Sequence, residues 1–435
     1  MTSAPKTVLR VAVLGCGNVG SALVGLIQTR SDALAVQSGA HLELAGIAVS
    51  DPSRSRGAHV PAGLLTGDAA ALVADPSIDI VVELVGGLEP AGSLVRSALE
   101  AGKAVITANK ALLASPEGVA LRTLARERSV DLLYEAAVAG AIPLVRALRE
   151  SLTGERIHRV TGIVNGTTNY ILTKMGEDGS DYDEVLAEAQ SLGLAERDPT
   201  ADVEGHDSAA KAAILAGVAF GYDVAGDDVF REGITGIRAI DVEFADRFGY
   251  VIKLLAVVER TADDEVSVRV HPTMVPKAHP LAGVRDAFNA VFIEGDAAGE
   301  LMLYGLGAGG RPTASAVLGD LIDATRNRLA GTTGPAPVRL PASLRSMAEA
   351  RSPFYVTLEV EDRPGVLGTV AALFGDHAVS IRSMEQEGLG AEARLIFLTH
   401  AAREGDVRAT LDDLAILPSV GRIGGVLRII GEEEG

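Results

Sequence analysis

Cysteine occurs once, at Cys16, in a chain of 435 residues. One thiol cannot close an intrachain disulfide, so the sequence suits a reducing compartment. Basic residues are also scarce, 39 against 58 acidic ones, for a formal net charge of −19. Such a surface is not built to coat DNA or anionic lipid, which argues against nucleic acid as a partner while leaving room for a local basic pocket. Long hydrophobic runs are missing too: none approaches the roughly 20 residues that span a bilayer, and Met1–Lys6 leads into a strand rather than a secretory leader. The expectation is a cytoplasmic protein with no membrane partner. Apolar residues, by contrast, make up 47% of the chain, enough for substantial cores, and the length suggests two or three compact units.

The pattern along the chain opens with a short apolar run at Val8–Leu14 ending in glycine, followed by a helical stretch at Ser21–Thr29. Further buried-strand candidates lie at His41–Val49, Ile78–Val85, Ala104–Thr107 and Val130–Tyr134, separated by helical stretches at Ala91–Ala101 and Pro116–Arg128. That alternation predicts an α/β fold with a parallel, doubly wound sheet over residues 1–135. The rhythm then changes over residues 136–330: an apolar helix around Ile142–Ser151, a strand at Arg159–Val164, a helix from Asn169, and a second apolar helix at Ser208–Phe220. Strand candidates at Val251–Val258, Val266–Pro272, Val291–Gly295 and Leu301–Gly305 then precede a closing helix, 314–329, placed to pack back on the first domain. A central α+β domain with a mixed sheet is expected. Residues 331–351, rich in Gly, Pro, Thr and Ser, read as a linker. The remainder, 352–435, gives strand, turn, helix, two strands, helix, strand, a ferredoxin-like βαββαβ order.

Gly15-Cys16-Gly17-Asn18-Val19-Gly20 satisfies G-x-G-x-x-G between a predicted strand and a predicted helix. The first glycine permits a tight turn, the second admits a pyrophosphate to the backbone, and the third packs helix on strand. That context makes the first domain a Rossmann-type dinucleotide-binding one. The acidic residue expected about 20 positions on is less tidy, because Asp51 comes later and Arg54 and Arg56 follow it. Asp51 suits a ribose hydroxyl and Arg54 a 2′-phosphate, so NAD and NADP both stand, as does the plainer reading of solvated loop charges.

Lysine occurs only seven times among the 39 basic residues. Lys110 closes Thr107-Ala108-Asn109-Lys110 just after a sheet strand, where parallel sheets bind ligands. Lys211 follows Asp207 by four residues on one helix, which puts ammonium and carboxylate on the same face. An ordinary helix salt bridge is the plain alternative. Lysine, unlike arginine, can exchange a proton near neutral pH when buried, which makes Lys211 a candidate acid/base group. Upstream, Gly193-Leu194-Ala195-Glu196-Arg197-Asp198-Pro199-Thr200-Ala201-Asp202 brings further carboxylates to the start of that helix. An amino-acid site needs a carboxylate for the ammonium, a cation for the carboxylate and an acid/base group for the reacting oxygen. Glu196, Lys110 and Lys211 with Asp207 could supply them.

These stretches, with Tyr134-Glu135-Ala136-Ala137-Val138-Ala139-Gly140-Ala141-Ile142-Pro143, Gly162-Ile163-Val164-Asn165-Gly166-Thr167-Thr168-Asn169-Tyr170 and Gly305–Thr313, resemble the homoserine dehydrogenases in their longer form. The resemblance implies reversible NAD(P)-dependent interconversion of L-homoserine and L-aspartate 4-semialdehyde, on the route to threonine and methionine. It casts Lys211 as general acid, Lys110 as a cofactor and substrate contact that assists proton transfer, and Glu196, Asp207 and Asp202 as substrate holders. Gly15, Gly17, Asn18, Val19, Gly20, Thr107, Gly193 and Gly309 match nucleotide-contact positions. The resemblance also implies a structural monovalent cation, usually sodium, on the Glu135 carboxylate and the carbonyls of Val138, Gly140 and Ile142; the alternative is that Glu135 caps the following helix. His206, beside Asp207, points about 100° away from it on a helix and reads as structural.

Asp362-Arg363-Pro364-Gly365-Val366-Leu367 resembles the ACT domain, a small-ligand sensor that usually pairs with another copy and implies threonine as effector, a purely dimerising module being the alternative; the family resemblance implies a homodimer through the central domain or, with ACT pairing added, a homotetramer. Three rival functions fit the sequence less well. A non-catalytic amino-acid sensor is disfavoured by the presence of Lys211 and Glu196. A 2-hydroxy-acid dehydrogenase with an ACT domain needs an Arg, Glu and His order absent from this chain. The enzyme that makes the semialdehyde from an acyl phosphate needs a cysteine nucleophile outside the phosphate loop, and Cys16 lies inside it.

Overall fold

The computed structural model describes residues 7–261, 265–388 and 392–430, so Met1–Lys6 falls outside it. The chain divides into two compact units. The first gathers Met1–Val160, Ala210–Val229 and Asn289–Ala342; the second gathers Thr161–Ala209, Phe230–Phe288 and Ser343–Gly435.

In the first unit, β1 (Val8–Leu14), β2 (His41–Ala48), β3 (Leu65–Thr66), β4 (Ile80–Glu83), β5 (Ala104–Thr107) and β6 (Leu132–Leu133) form one sheet in the order β3-β2-β1-β4-β5-β6. Every neighbouring pair is parallel. The central strands are mostly apolar because helices cover both faces, and Val11–Leu14, Ile80–Glu83 and Ala104–Thr107 are buried at every position, the polar Glu83 and Thr107 at their carboxyl ends included. Strand order reverses between β1 and β4, which opens a crevice at their carboxyl ends.

Helix α1 (Asn18–Thr29) begins one turn before the expected Ser21, directly on the glycine loop. Its first turn is not apolar, so hydrophobic periodicity does not register it. Helices α2 (Ala91–Glu100) and α3 (Pro116–Arg128) follow the predicted spans closely. α3 shows why: the Ser115 hydroxyl accepts from the Gly118 N–H, Pro116 opens the first turn, and Arg126 and Arg128 sit at the negative end of the dipole. The helix Gly310–Ala330 lays Ala314, Val317, Leu318 and Leu321 against Leu23, Val24 and Ile27 of α1 in one apolar cluster. The expected helix at Ile142–Ser151 is a single α turn, Leu144–Arg146, continued by a wider π turn, Ala147–Ser151.

In the second unit, β7 (Tyr250–Arg260) and β8 (Val266–Pro276) pair antiparallel along their full length. The C-terminal portion has the expected βαββαβ order. Strands β9 (Phe354–Glu361), β10 (Ile381–Gly388), β11 (Glu392–Thr399) and β12 (Val420–Ile429) run in the order β12-β9-β11-β10, all antiparallel, with helices Val366–Asp376 and Glu404–Ala415. Phe354, Val356 and Leu358 pack against Val370, Phe374 and Leu414 to form its core.

The sequence sets this module apart behind residues 331–351, but β12 pairs in parallel with β8, Thr273 opposite Arg428 and Met274 opposite Ile429, so one mixed sheet runs through both. Arg428 seals the join. Its guanidinium donates to Glu404, at 2.9 Å from Nε, and to Glu232, at 3.0 Å from Nη2. The Phe230 ring lies 5.6 Å from the guanidinium carbon. Among the described residues no helix is long and apolar enough to cross a membrane.

Candidate active site

The glycine loop crosses from β1 to α1 at the crevice. Gly15 has φ of +95°, and a Cβ there would meet the Leu84 carbonyl oxygen at 2.5 Å; at Gly20 it would meet the Gly15 oxygen at 2.3 Å. Gly17 instead faces open space, with nothing within 4 Å of a would-be Cβ. No side chain caps α1 at Gly17, so the first-turn N–H groups around Asn18 and Val19 are left for an anion. The roles assigned to the three glycines therefore have distinct steric causes. Arg56 donates to the Cys16 carbonyl at 3.0 Å and to the Asp51 carbonyl at 3.2 Å, tying the segment after β2 to the loop. Asp51 accepts from the Ser53 hydroxyl at 2.6 Å and amide at 2.9 Å, which holds its carboxyl below the usual range. Cys16 is buried, and burial pushes its thiol up, as in a packing residue rather than a nucleophile.

At the ends of β4 and β5, Glu83 is wholly buried. One oxygen accepts from the Val85 and Gly86 amides at 2.7 and 2.9 Å, and the other accepts from the Thr107 hydroxyl at 2.6 Å. Thr107 in turn accepts from the Asn109 amide, and Asn109 donates to the Gly87 carbonyl at 2.7 Å while capping the short helix that begins at Lys110. Thr107 and Lys110 are thus held by a carboxylate that the sequence reading did not single out. Its signal was present: an acid ending the apolar run Ile80-Val81-Val82-Glu83. On the same unit, Gly310 packs so closely on α1 that a Cβ would meet the Asn18 oxygen at 3.0 Å, which brings Gly309, with φ of +133°, beside the glycine loop.

In the second unit the helix Gly166–Asp178 begins one turn before the expected Asn169, because the Asn165 side chain caps it, accepting from the Thr168 amide at 2.9 Å. The Asn165 amide nitrogen then donates to Asp202 at 2.7 Å and to Asp207 at 2.9 Å. Two of the carboxylates singled out by sequence are joined through a residue whose role sequence left unassigned. Asp207 and Lys211 are both buried and lie four residues apart on the helix His206–Phe220. His206 opens that helix and is exposed. Glu196 is exposed in its loop, and Gly193, with φ of +72°, follows the helix Tyr182–Ser191. Replacing Asn165 by Leu would leave the buried Asp207 and the half-buried Asp202 without their common donor. A rise of at least tenfold in KM for the amino-acid substrate, with nucleotide affinity unchanged, is the expected kinetic result.

A second unassigned residue, Lys253 on β7, is buried against the helix Gly166–Asp178. Its ammonium donates to Asn169 Oδ1 at 3.0 Å and to the Val284 carbonyl at 2.6 Å, and Asn169 donates to the Asp286 carbonyl at 2.9 Å. Burial, with the charge of Arg285 second, pulls the Lys253 ammonium down to about 8. A base that is harder to protonate in the folded state than in the unfolded one weakens the fold while charged. Stability should therefore rise as pH climbs from about 8 to 10.5, by up to roughly 3 kcal/mol. Melting temperatures across that window should show the rise in the parent chain and lose it in Lys253→Met; an identical profile in the two would refute the assignment.

Glu135 is buried and burial pushes its carboxyl up. Its oxygens accept from the Val145 and Arg146 amides at 3.0 and 2.7 Å, so it does cap the following turn. Its own amide donates to Asp320 at 2.8 Å, and Asp320, also buried, is pushed up to about 7. Val138 leads into a tight turn in which Ala139 and Gly140 have φ of +58° and +55°, and the Ile142 carbonyl accepts from the Leu144 amide at 2.8 Å. Among the described residues no group of three or more His, Cys, Asp or Glu side chains could hold a metal ion.

A parallel sheet wound in this order, with an uncapped glycine loop at its switch point, places the first unit among the dinucleotide-binding domains of dehydrogenases. The comparisons narrow the class. Residues 143–322 match the family model for homoserine dehydrogenase, residues 15–135 that for the homoserine dehydrogenase NAD binding domain, and residues 354–419 that for the ACT domain. The homoserine dehydrogenase of Corynebacterium glutamicum is 49% identical over 98% of this chain and 96% of its own length, and that of Mycobacterium tuberculosis is 50% identical over 97% of each. The crystal structure of a homoserine dehydrogenase from Thiobacillus denitrificans superposes with a TM-score of 0.92 at 38% identity, covering 97% of this chain and 98% of that one. A hyperthermophilic archaeal homoserine dehydrogenase in complex with NADPH matches at 30% identity and a TM-score of 0.62, over 73% of this chain and 98% of its own. The chain belongs to the homoserine dehydrogenase family; it is an oxidoreductase with an NAD-binding domain and a C-terminal ACT domain.

Proposed function

We propose that the chain interconverts L-homoserine and L-aspartate 4-semialdehyde with NAD or NADP, in threonine and methionine biosynthesis, with Lys211 as the general acid and base. The observation that carries this reading is a buried lysine one helical turn after a buried aspartate that shares its asparagine donor with a second aspartate. When bound, the reduced nicotinamide supplies a hydride to the aldehyde carbon. The Lys211 ammonium gives its proton to the oxygen, where negative charge develops, and recovers one afterwards; in the reverse direction the neutral amine takes the alcohol proton. Asp207 orients that lysine and, with Glu196 and Asp202, receives the substrate ammonium. Lys110 meets the substrate carboxylate and assists the proton transfer.

Gly15, Gly17, Asn18, Val19, Gly20, Thr107, Lys110, Gly193 and Gly309 hold the nucleotide in this reading. The open space at Gly17 and the uncapped start of α1 fit its pyrophosphate. Arg54 and Arg56 favour a 2′-phosphate, and the serine contacts of Asp51 leave a ribose hydroxyl as the alternative. The NADPH bound by the archaeal relative supports a nicotinamide nucleotide of either kind.

A sodium ion on Glu135 and the carbonyls of Val138, Gly140 and Ile142 fits as a structural group. A desolvated carboxylate gains a counter-charge there, and the left-handed pair at Ala139 and Gly140 turns successive carbonyls. At the ACT domain, Gly365 has φ of +93° and starts the helix Val366–Asp376 without a side-chain cap, which suits the carboxylate of an amino-acid effector such as threonine. The edge strand Gly299–Leu306 exposes Leu301, Met302, Tyr304 and Leu306, which favours a homodimer or homotetramer, and the reduced, buried thiol suits the cytoplasm. By function the chain divides into a nucleotide domain at 1–135, a substrate and dimerisation domain at 136–330, a linker at 331–351 and a regulatory domain at 352–435. Nicotinamide absorbance followed with L-homoserine and each nucleotide, with and without threonine, tests the reaction, the nucleotide preference and the effector together. Folded protein that binds nucleotide without turnover would point to an amino-acid sensor instead.

A further inference from the structure

The first unit holds a cavity of about 100 Å³ that none of the residues assigned above to nucleotide, substrate or cation lines. Its walls come from α3, from β6 with Tyr134 after it, and from the segment that follows the helix Gly310–Ala330. Four arginines face it, Arg122, Arg126, Arg149 and Arg339, against two aspartates. Asp131 is engaged elsewhere, accepting from the Gly334 amide at 2.7 Å and from Asn327 at 2.9 Å. Asp223 therefore serves two guanidiniums at once, Arg122 at 2.8 Å and Arg339 at 3.7 Å, while Arg339 also donates to the Tyr134 hydroxyl at 2.6 Å.

The Nε–H groups of Arg122 and Arg149 are buried without an acceptor among the described residues. Burial pulls the Arg122 guanidinium down, and the Arg339 charge adds to it. The remaining wall is apolar, with Val130, Leu133, Val218 and Pro335. Arg126 is exposed and Arg149 pairs with Glu150 at 3.0 Å, but Arg122 and Arg339 share a single carboxylate, and the unmet buried donors beside them suit an oxyanion.

We propose that this cavity is a second ligand site and takes a compact oxyanion, a carboxylate or a phosphate, gripped by Arg122 and Arg339. A cavity of about 150 Å³ takes benzene, so this one suits roughly four to six heavy atoms, the size of inorganic phosphate or acetate. Arg339 belongs to the segment whose strand Leu340–Pro341 pairs in parallel with Tyr222–Asp223. A ligand on Arg339 and Arg122 thus fastens residues 334–341 to α3, and the site is a means of stiffening the chain ahead of the ACT domain.

Gly217 gives a test that spares the charges. A Cβ there would meet Arg339 Nη1 at 2.2 Å, so Gly217→Ala drives the guanidinium out of place while adding a better helix former. Melting temperature and amide exchange are followed in the full chain with NADPH present, as inorganic phosphate or acetate is titrated against chloride at equal ionic strength. The expected result is a saturable rise of a few degrees with one of the two anions and slower exchange across residues 334–341, both lost in Gly217→Ala and in Arg339→Gln. Saturation by phosphate alone assigns the site to phosphates, and by acetate alone to carboxylates. No saturable response to either anion, or a response that survives in both variants, overturns the proposal.

Discussion

Lys211→Ala should lower kcat by roughly 10²–10⁴-fold, the usual worth of a positioned proton donor, while leaving the dissociation constant of the nucleotide nearly unchanged. The argument is one of division of labour. Every glycine-loop and crevice contact proposed for the nucleotide lies on other residues, whereas Lys211 is buried on the helix that begins at His206. Lys211→Arg should do little better, because a guanidinium stays protonated and does not return a proton near neutral pH. Single-turnover absorbance with saturating nucleotide reads the chemical step, and a separate fluorescence titration of the reduced nucleotide reads its dissociation constant. Equal loss of turnover and of nucleotide binding would mean that Lys211 supports the fold instead of the chemistry.

Arg428→Ala should produce the largest loss of stability, about 3 kcal/mol in the strand pairing of β12 with β8, the low end for a broken buried ion pair. The reason is the partner left behind: Glu404 is 3% exposed, and without this guanidinium it keeps only the half-exposed Arg408, at 3.0 Å, as counter-charge. Arg428→Lys should recover only part of the loss, since one ammonium cannot present a planar fork to Glu404 and Glu232 together. Because a chain of this size need not unfold in one step, amide exchange at residues 420–429 and 273–276 is the suitable measurement. Protection unchanged in Arg428→Ala would show that the apolar contacts of β12 hold the join unaided.

Much of the architecture was legible from one sequence because it rests on local rules. The parallel sheet announced itself through runs such as Val11–Leu14 and Ala104-Val105-Ile106, which are apolar at every position only when both faces are covered. Pro116 and Ser115 marked the start of α3, and the ACT order followed from alternating periods of two and 3.6. The two late helix starts share a cause. Helices beginning at Asn18 and Gly166 were started a turn late, because polar first turns held by caps carry no hydrophobic period.

The sequence by itself determined the nucleotide loop, the order of elements and the side chains fit for acid/base work, since glycine placement, periodicity and residue chemistry are properties of short stretches. Only the tertiary structure decided which of those side chains meet. Asn165 bridging Asp202 and Asp207, Glu83 holding Thr107, Arg428 joining two modules and Arg122 sharing Asp223 with Arg339 all pair residues far apart in the chain. Burial gives such pairs their strength by removing water from charges that the unfolded chain leaves solvated, and no local pattern records which distant partner will be there.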